Sequence, residues 1–290
     1  MALVTYAAKP ALTEDDALCA GSLRARGVGV EAVPWDRPDV AWERYAAVVI
    51  RSTWDYHQRP DAFRAWLDAL QARRALVWNP VPMLRWNMDK RYLLPLGAQL
   101  PVIPTELVEA AGATTLAEVL AHRGWREVVV KPAISASGED TWRTGAERAG
   151  ADEPRFQALL RRGPVLLQPF IAAIENEGEW SLVYFQGRFS HGILKTPAAG
   201  EFRVQKQHGG HSRSQRPPDA VLADAGAILA AVEEPWLYAR VDGCVVEGAF
   251  LLMELELLEP ALELWADPGA PVRFAEAIIA CLGHAPGRGR

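Results

Sequence analysis

The sequence predicts an α/β protein made of more than one lobe. Over the first 80 residues, short apolar segments alternate with helical segments, the pattern of an open parallel sheet with crossover helices. The pattern then changes to hairpins and single helices, with an acidic hairpin near the C-terminus. At 290 residues the chain also exceeds the usual size of one domain, so we expect two or three packed lobes.

The first lobe begins with an apolar strand and a helix that the polar residues TEDD open. The segment 45–50 is almost entirely apolar, as expected for a central parallel strand, and Pro60 stands near the start of the second helix. The predicted strands are 3–8, 28–35, 45–50 and 76–80, and the predicted helices are 13–26 and 60–73.

The rest of the chain mixes helices with antiparallel strands. Pro95 is expected to interrupt the first helix, Gly124 to end the second, and residues 146–154 to be irregular. The predicted helices are 83–100, 114–124, 155–162, 219–232 and 274–282. The predicted strands are 126–132, 141–144, 164–171 and the hairpins 179–197 and 240–260, with an extended segment at 101–108.

Composition excludes several classes of function. Half of the residues are apolar, and the formal charge of −5 argues against nucleic acid and gives no attraction to a membrane. Three scattered cysteines without metal spacing indicate buried thiols in a reducing compartment. No signal-like segment and no apolar run of membrane length is present, so we expect a cytoplasmic protein.

The acidic hairpin places carboxylates inside apolar strands. Glu254 and Glu256 are two residues apart and therefore share one face of a strand. If the hairpin is centred on Gly248, Asp242 on the preceding strand joins that face, whereas a plain two-residue turn puts it on the other. An odd loop or a β-bulge supplies the necessary shift. Three hard oxygen ligands suit Mg²⁺ held jointly with phosphates, and the alternative is a solvated acidic edge.

Lysine in a valine-rich strand indicates an anion site. Lys131 ends the run VVVKP, where an ammonium group is poorly solvated unless an anion meets it. The small-residue loop SASGED follows, and its backbone N–H groups suit phosphate oxygens. The alternative is a lysine that reaches solvent from an edge strand beside an ordinary loop.

Three further motifs are weaker when taken singly. Lys90 adjoins Asp89, which also fits a solvated helix face. The segment QPFI ends a strand at a proline, leaving backbone groups free to meet a base edge, or it is a plain loop entry. Arg203 follows a hairpin and suits bidentate phosphate contact, or it is a surface arginine.

In this order the motifs resemble the ATP-grasp superfamily of carboxylate–amine ligases, which includes glutathione synthetase, the RimK-type ligases and D-alanine–D-alanine ligase. The resemblance covers roughly residues 83–262. It implies an α/β ATP-grasp fold, with an open α/β lobe followed by two α+β lobes that clamp ATP. The implied boundaries are an N-terminal lobe at 1–86, a small lobe at 87–172 and a C-terminal lobe with the metal site at 173–290. The stretches IRSTWDY and NPVPMLRWNMDKRYL resemble the subgroup containing the cyclo-ligase that closes D-cycloserine.

The resemblance also implies roles for individual residues. The γ-phosphate and acyl phosphate are expected to meet Arg203 and Lys131. The expected nucleotide contacts are Lys90, Lys131, Ser135, Ser137, Gly138, Gln168, Pro169, Phe170 and Ile171, with Glu175 or Glu177 on the ribose. The expected metal ligands are Asp242, Glu254 and Glu256. Glutathione synthetase and its RimK-type relatives usually have asparagine at the last position, so this site carries one more negative charge.

The implied reaction is ADP-forming ligation with ATP and Mg²⁺ or Mn²⁺. A small carboxylic acid forms an acyl phosphate, and an amine then displaces phosphate. The alternatives are an intramolecular cyclo-ligase and a nucleotide-binding protein without turnover. The motifs assign no general base, and a homodimer is left open.

Two expectations concern segments outside the shared motifs. Polar residues after strand 45–50 are expected to hold the substrate carboxylate, beyond the strand's carboxyl end. The named residues are Arg51, Ser52, Thr53 and Asp55, with Tyr56 and His57 beside them; the alternative is a purely architectural segment. SASGED and residues 206–218 are expected to be mobile without nucleotide, because both are rich in small or polar residues.

Overall fold

A computed structural model describes residues 1–109, 114–204, 208–232 and 235–283. Three sheets follow one another along this part of the chain, and helices cover them. No helix in the described ranges combines the length and apolarity needed to cross a bilayer.

The first sheet is parallel, which confirms the predicted α/β lobe. Its strands are β1 (Ala2–Thr5), β2 (Glu31–Pro34), β3 (Val48–Ile50) and β4 (Val77–Trp78), in the order β2-β1-β3-β4. Helices α1 (Glu14–Arg24) and α2 (Pro60–Ala72) connect them. The Thr13 side chain caps α1 by accepting the Asp16 N–H at 3.0 Å, and Pro60 is the first residue of α2.

The segment after β4 is not one helix broken at Pro95. It forms α3 (Val81–Asn87), a 3₁₀ helix (Lys90–Tyr92) and α4 (Leu93–Gly97). The break falls at Asp89, which is extended and whose side chain accepts the Arg91 N–H at 3.0 Å. Pro95 instead lies in the first turn of α4, where a missing N–H costs no helical hydrogen bond.

The second sheet is antiparallel. Strands β5 (Glu106–Val108), β6 (Glu127–Pro132), β7 (Trp142–Gly145) and β8 (Val165–Pro169) lie in the order β5-β8-β6-β7, covered by α5 (Leu116–Arg123) and α6 (Ala149–Leu160). The expectation of irregular structure at 146–154 is wrong, because α6 begins there. Tertiary contacts hold its first turns: Asp152 accepts a hydrogen bond from Thr144 and Glu153 accepts the Leu116 N–H.

The third sheet is also antiparallel, in the order β11-β10-β9-β12-β13. Its strands are β9 (Glu179–Phe185), β10 (Arg188–Thr196), β11 (His211–Ser214), β12 (Tyr238–Val246) and β13 (Ala249–Glu256). Helices α7 (Ala173–Glu177), α8 (Asp219–Ala230) and α9 (Ala270–Gly283) belong to this part of the chain. Helix α8 packs on the sheet, whereas α9 shares a core with α1 and so ties the chain's end to the first lobe.

The β12–β13 hairpin has the predicted register and reaches it through a bulge. Its turn is two residues, Glu247 and Gly248, with φ of 51° and 84°. Met253 has no partner on β12, and this β-bulge shifts the register so that Asp242 lies opposite Glu254. The acidic face therefore depends on one extra residue in β13.

Side chains from the connecting helices cover the outer edge of β13. The Asn87 amide donates to the Leu255 carbonyl and accepts the Leu257 N–H, both at 2.7 Å. The Tyr92 hydroxyl bonds the N–H and carbonyl of Leu255, at 3.0 and 2.8 Å. These bonds satisfy an exposed strand edge and hold Lys90, which lies between the two residues, against the acidic strand.

Candidate active site

A cavity of about 1000 Å³ lies where the three sheets meet, and we call it the central cavity. Residues of all three lobes line it, including the end of β6, the loop after β6, the end of β8, the acidic face of β12 and β13, and the loops after β1 and β3. Most charged side chains singled out from the sequence reach this cavity.

Lys131 is a buried cation without a counterion in contact. The residue is 9% exposed, and it makes no hydrogen bond or ion pair within the described ranges. Burial and the neighbouring Lys90 lower the pKa of the Lys131 ammonium to about 7. Such a group favours an incoming anion, which would restore its charge and replace its lost hydration.

Lys90 is held in place rather than free. Its ammonium donates to the Ser135 carbonyl at 2.6 Å and pairs with Glu254 at 2.9 Å. Burial lowers the pKa of Lys90 even though acidic groups surround it. Lys90 thus connects the acidic strand to the loop that follows Lys131.

That loop, residues 133–141, lies along the cavity wall. Ser135 is buried, and its carbonyl also accepts the Tyr56 hydroxyl at 3.4 Å. Ser137 and Gly138 have positive φ of 57° and 68°, which turns the backbone sharply where it meets the cavity. All three residues line the cavity, as a phosphate-binding loop requires.

The predicted adenine hinge, Gln168 to Ile171, also lines the cavity. Gln168 donates to the Thr105 hydroxyl at 3.0 Å, and Pro169 ends β8. The Phe170 N–H already donates to the Glu127 carbonyl at 3.0 Å, so it is not free for a base. The Arg143 guanidinium carbon lies 3.5 Å from the centre of the Phe170 ring, and this cation–π pair lies at this end of the cavity wall.

The residues expected on the ribose do not reach the cavity. Glu175 instead pairs with Arg143 at 3.0 Å, and Glu177 ends helix α7 away from the lining. Glu179, two residues further on, lines the cavity opposite Lys195. Burial and Asp242 raise the pKa of Glu179 to about 7. The sequence analysis considered only the carboxylates before β9 for the ribose and gave no role to Glu179, the first residue of β9.

The three predicted metal ligands line the cavity, but each is engaged by a cation. Arg240 donates to Asp242 at 2.9 Å and to Glu256 at 2.6 Å, while Glu254 pairs with Lys90. Burial opposes ionisation of both acids; Arg240 and Lys195 nevertheless keep the pKa of Asp242 low, whereas the pKa of Glu256 is raised. Within the described ranges, no three acidic, histidine or cysteine side chains converge closely enough to hold a metal ion.

Arg203 lines the cavity and is held by its neighbour. It pairs with Glu201 at 2.8 Å, and this hydrogen-bonded contact lowers the pKa of Glu201 to about 2. Arg240 was not assigned a role from the sequence, yet it lies at the centre of the acidic face. The sequence did contain a signal for this position, because Arg240 and Asp242 are two residues apart on one strand and therefore share a face.

Arg51, Ser52 and Thr53, which were expected to hold the substrate carboxylate, lie behind the cavity wall in this structure. All three are at most 2% exposed, and none lines the cavity. Arg51 pairs with Asp16 at 2.7 Å and donates to the Pro260 carbonyl at 2.8 Å. The residues after it turn back into the cavity: Asp55, Tyr56 and His57 all line it, and Asp55 is braced by Trp35 and Arg59.

An acidic residue in the first turn of α1 was also missed. Asp15 lines the cavity, and neither of its carboxylate oxygens has a hydrogen-bond partner of normal geometry within the described ranges. Burial and Asp16 raise the pKa of Asp15 to about 6, since Arg51 and the Leu264 N–H only partly offset them. The TEDD segment was interpreted as a helix start alone, because acidic residues are ordinary there.

Comparison with known proteins decides the family. The model of the N-terminal domain of D-cycloserine synthetase DcsG matches residues 1–79. The cycloserine biosynthesis protein DcsG of Streptomyces lavendulae is 33% identical over 294 residues, covering 96% of this chain and 97% of that protein. This chain belongs to the DcsG family of ATP-grasp ligases. The predicted superfamily and subgroup are thereby confirmed.

Solved structures agree with the DcsG family assignment. The crystal structure of D-cycloserine synthetase DcsG superposes with a TM-score of 0.86 at 31% identity, covering 97% of this chain and 99% of that one. D-Alanine–D-alanine ligase from Bacillus anthracis has a TM-score of 0.67 at 12% identity, covering 97% and 96%. The RimK domain ATP-grasp protein of Sphaerobacter thermophilus has a TM-score of 0.68 at 16% identity, covering 97% and 99%, and these last two show the fold alone.

Membership of the DcsG family makes this chain an enzyme, an ATP-dependent and ADP-forming ligase of the carboxylate–amine type. A nucleotide-binding protein without turnover is therefore set aside. Lobe boundaries, individual site residues and mobile segments stay predictions, and Lys206 lies outside the described residues.

Proposed function

We propose that this chain is an ATP- and Mg²⁺-dependent cyclo-ligase, which activates the carboxylate of a small amino-acid derivative and closes a ring with a nitrogen of the same molecule. The similarity to D-cycloserine synthetase over almost the whole of both chains carries this proposal. It includes the N-terminal lobe, which lines the cavity opposite the phosphate-binding cations. We also propose the lobe division at 86/87 and 172/173.

In the first step a carboxylate oxygen forms a bond to the γ-phosphorus of ATP, and the bond to ADP breaks with its electron pair. Lys131 neutralises charge on the transferred group, and Arg203 and Arg240 supply further cations in the cavity. In the second step a nitrogen attacks the acyl carbon, and phosphate leaves. Ring closure needs no second substrate, which distinguishes it from intermolecular ligation.

The acidic face fits Mg²⁺ by the chemistry of its donors. Asp242, Glu254 and Glu256 offer hard carboxylate oxygens from paired positions of one hairpin. Arg240 and Lys90 hold these oxygens in this structure, so binding of the metal requires them to share or release the carboxylates. When bound, Mg²⁺ would act as a Lewis acid that neutralises negative charge on the phosphate oxygens.

The substrate end of the cavity fits a cationic group. The Asp15 carboxylate is shielded from solvent, and no group in the described chain donates a hydrogen bond of normal geometry to it. Glu263 is a second acidic residue that lines the cavity. A substrate ammonium would satisfy Asp15 and restore its charged state. We therefore propose that Asp15 binds the amino group of the substrate.

Product analysis tests the cyclo-ligase proposal. β-Aminooxy-D-alanine is the open-chain hydrolysis product of D-cycloserine and carries a carboxylate, an ammonium and an internal nucleophile. With ATP and Mg²⁺, we expect ADP and a cyclic product in equal amounts, without any added amine. ADP formation that depends on a second amine would favour the intermolecular ligase instead.

Asp15→Asn should remove activity and stabilise the fold. The folded-state pKa of about 6 lies above the ordinary value of 3.8, so ionised Asp15 destabilises the native protein. The effect is absent below pH 4, grows as pH rises to about 6 and is then constant, at up to roughly 3 kcal/mol. We expect the variant's unfolding midpoint to equal that of the unaltered protein below pH 4, to rise above it between pH 4 and 6, and to stay higher above pH 6. If the Asp15→Asn variant instead unfolds at a lower midpoint than the unaltered protein, Asp15 makes a contact that stabilises the fold.

Glu254→Gln should lower ADP formation by about 10²-fold or more, because the amide weakens a charged ligand to the metal. The Mg²⁺ concentration that gives half-maximal rate should rise. Glu247→Gln, in the exposed turn of the same hairpin, is the matched control and should leave both quantities unchanged. Equal Mg²⁺ dependence in both variants would remove Glu254 from the metal site.

A further inference from the structure

A shielded histidine of the first lobe pairs with a solvent-exposed carboxylate in the loop after β6. The His57 Nε2 lies 2.7 Å from a Glu139 oxygen, and the His57 side chain is 8% exposed. His57 belongs to the 3₁₀ helix Tyr56–Gln58, whereas Glu139 belongs to the loop after β6. Both residues line the central cavity. The pair therefore stands where the substrate lobe and the phosphate-binding loop meet.

The other ring nitrogen of His57 is unpartnered. Nδ1 is shielded from solvent and has no hydrogen-bond partner within the described ranges. The Glu139 carboxylate only accepts hydrogen bonds, so Nε2 carries the proton in the neutral ring and Nδ1 keeps its lone pair. A carboxylate that orients one nitrogen of a histidine leaves the other prepared to take a proton.

The three carboxylates of the acidic face and Glu259 are occupied or unsuited to this task, and Asp15 is proposed above to bind the substrate ammonium. Asp242, Glu254 and Glu256 hold Arg240 and Lys90. Burial raises the pKa of Glu259 to about 8, so it is mainly protonated at neutral pH. His57 is the one histidine among the described residues that line the cavity.

We propose that His57 is the general base of ring closure and that Glu139 is its positioning residue. The inference rests on the proposed function. The lone pair of the substrate nitrogen forms the bond to the acyl carbon, and the carbon–oxygen bond to phosphate breaks with its electrons on phosphate. The proton released by that nitrogen passes to Nδ1 of His57, while Nε2–H stays on Glu139. The acyl phosphate forms before this step and does not need the base.

The test measures ADP and cyclic product separately for the His57→Ala variant, with β-aminooxy-D-alanine, ATP and Mg²⁺. ADP reports formation of the acyl phosphate, and the cyclic product reports ring closure. We expect cyclic product to fall about 10²–10⁴-fold. ADP formation should fall less, because the acyl phosphate still forms and then hydrolyses. Added imidazole should restore cyclic product, since it replaces the missing base. Glu139→Gln should give a smaller loss of the same kind. His122→Ala, which removes an exposed histidine of α5 away from the cavity, is the control and should behave like the unaltered enzyme.

Each outcome distinguishes the proposals. An equal fall of ADP and cyclic product, without imidazole rescue, would make His57 a link between lobes and overturn the assignment of the base. Normal ring closure by His57→Ala would overturn it as well. Failure of the unaltered enzyme to form any cyclic product from the probe would overturn the proposed cyclo-ligase function, and the base assignment with it.

Discussion

Lys131→Met should lower ADP formation at least 10³-fold, the largest loss of activity that we expect from one substitution. Lys131 is a buried cation that makes no ion pair in the described chain, at the point where phosphate is expected to bind. Preorganised charge of this kind is the main means by which enzymes accelerate phosphoryl transfer. Methionine retains most of the side-chain volume, so the loss should come from the charge.

The same substitution should not destabilise the protein. The folded-state pKa of Lys131 is about 7, below the ordinary 10.5, so the charged ammonium destabilises the native state. This penalty is complete below pH 7, where both states are protonated. Above pH 7 the native lysine is neutral, and the penalty falls to zero as the pH approaches 10.5, where the unfolded lysine also loses its proton. Lys131→Met should therefore have the higher unfolding midpoint below pH 7, by an amount that shrinks at alkaline pH.

Thermal unfolding over this pH range, with ADP release measured in parallel, checks both statements. Arg126→Met removes the same charge from an exposed residue next to β6 and is the control. If Lys131→Met lowers both the unfolding midpoint and the activity, Lys131 supports the fold. If the variant keeps activity within tenfold of the unaltered protein, Lys131 does not belong to the phosphate site.

Arg51→Ala should destabilise the protein by about 3–5 kcal/mol, the largest loss of stability expected. The substitution leaves Asp16 buried without its cation, and it removes the donor to the Pro260 carbonyl that links the first lobe to the last. The Michaelis constants for ATP and the acid should change little, since Arg51 does not line the cavity.

Chemical denaturation measures this effect. The double variant Arg51→Met with Asp16→Asn is the informative companion, because it removes both charges of the buried pair and should recover part of the stability. A stable Arg51→Ala protein with a raised Michaelis constant for the acid would restore the substrate-binding role expected from the sequence.

Local patterns were sufficient for much of the fold. Alternating strands and helices predicted the parallel first sheet, and two-residue spacing predicted that Glu254 and Glu256 share a face. Lys131 was singled out because an ammonium group in an apolar strand requires a partner, whereas the roles expected of Lys90 and Gln168 came from the resemblance to ATP-grasp ligases. These inferences depend on the period of a helix or strand, which a short stretch of sequence contains.

Other features depended on contacts between distant segments. Nothing near Pro154 indicates that Leu116 and Thr144 stabilise the start of α6. The β-bulge at Met253 decides the acidic face, and either turn geometry was compatible with the sequence.

The sequence by itself determined the order of the motifs and the family, and it predicted a phosphate site and a metal site. Tertiary structure alone decided that Arg51 is buried against Asp16 and that Glu179 rather than Glu175 reaches the cavity. It also brought His57 to Glu139, 82 residues away. The reason is physical: residue type sets what a group can do, whereas burial and partner depend on segments far apart in the chain, which only the packed fold brings together.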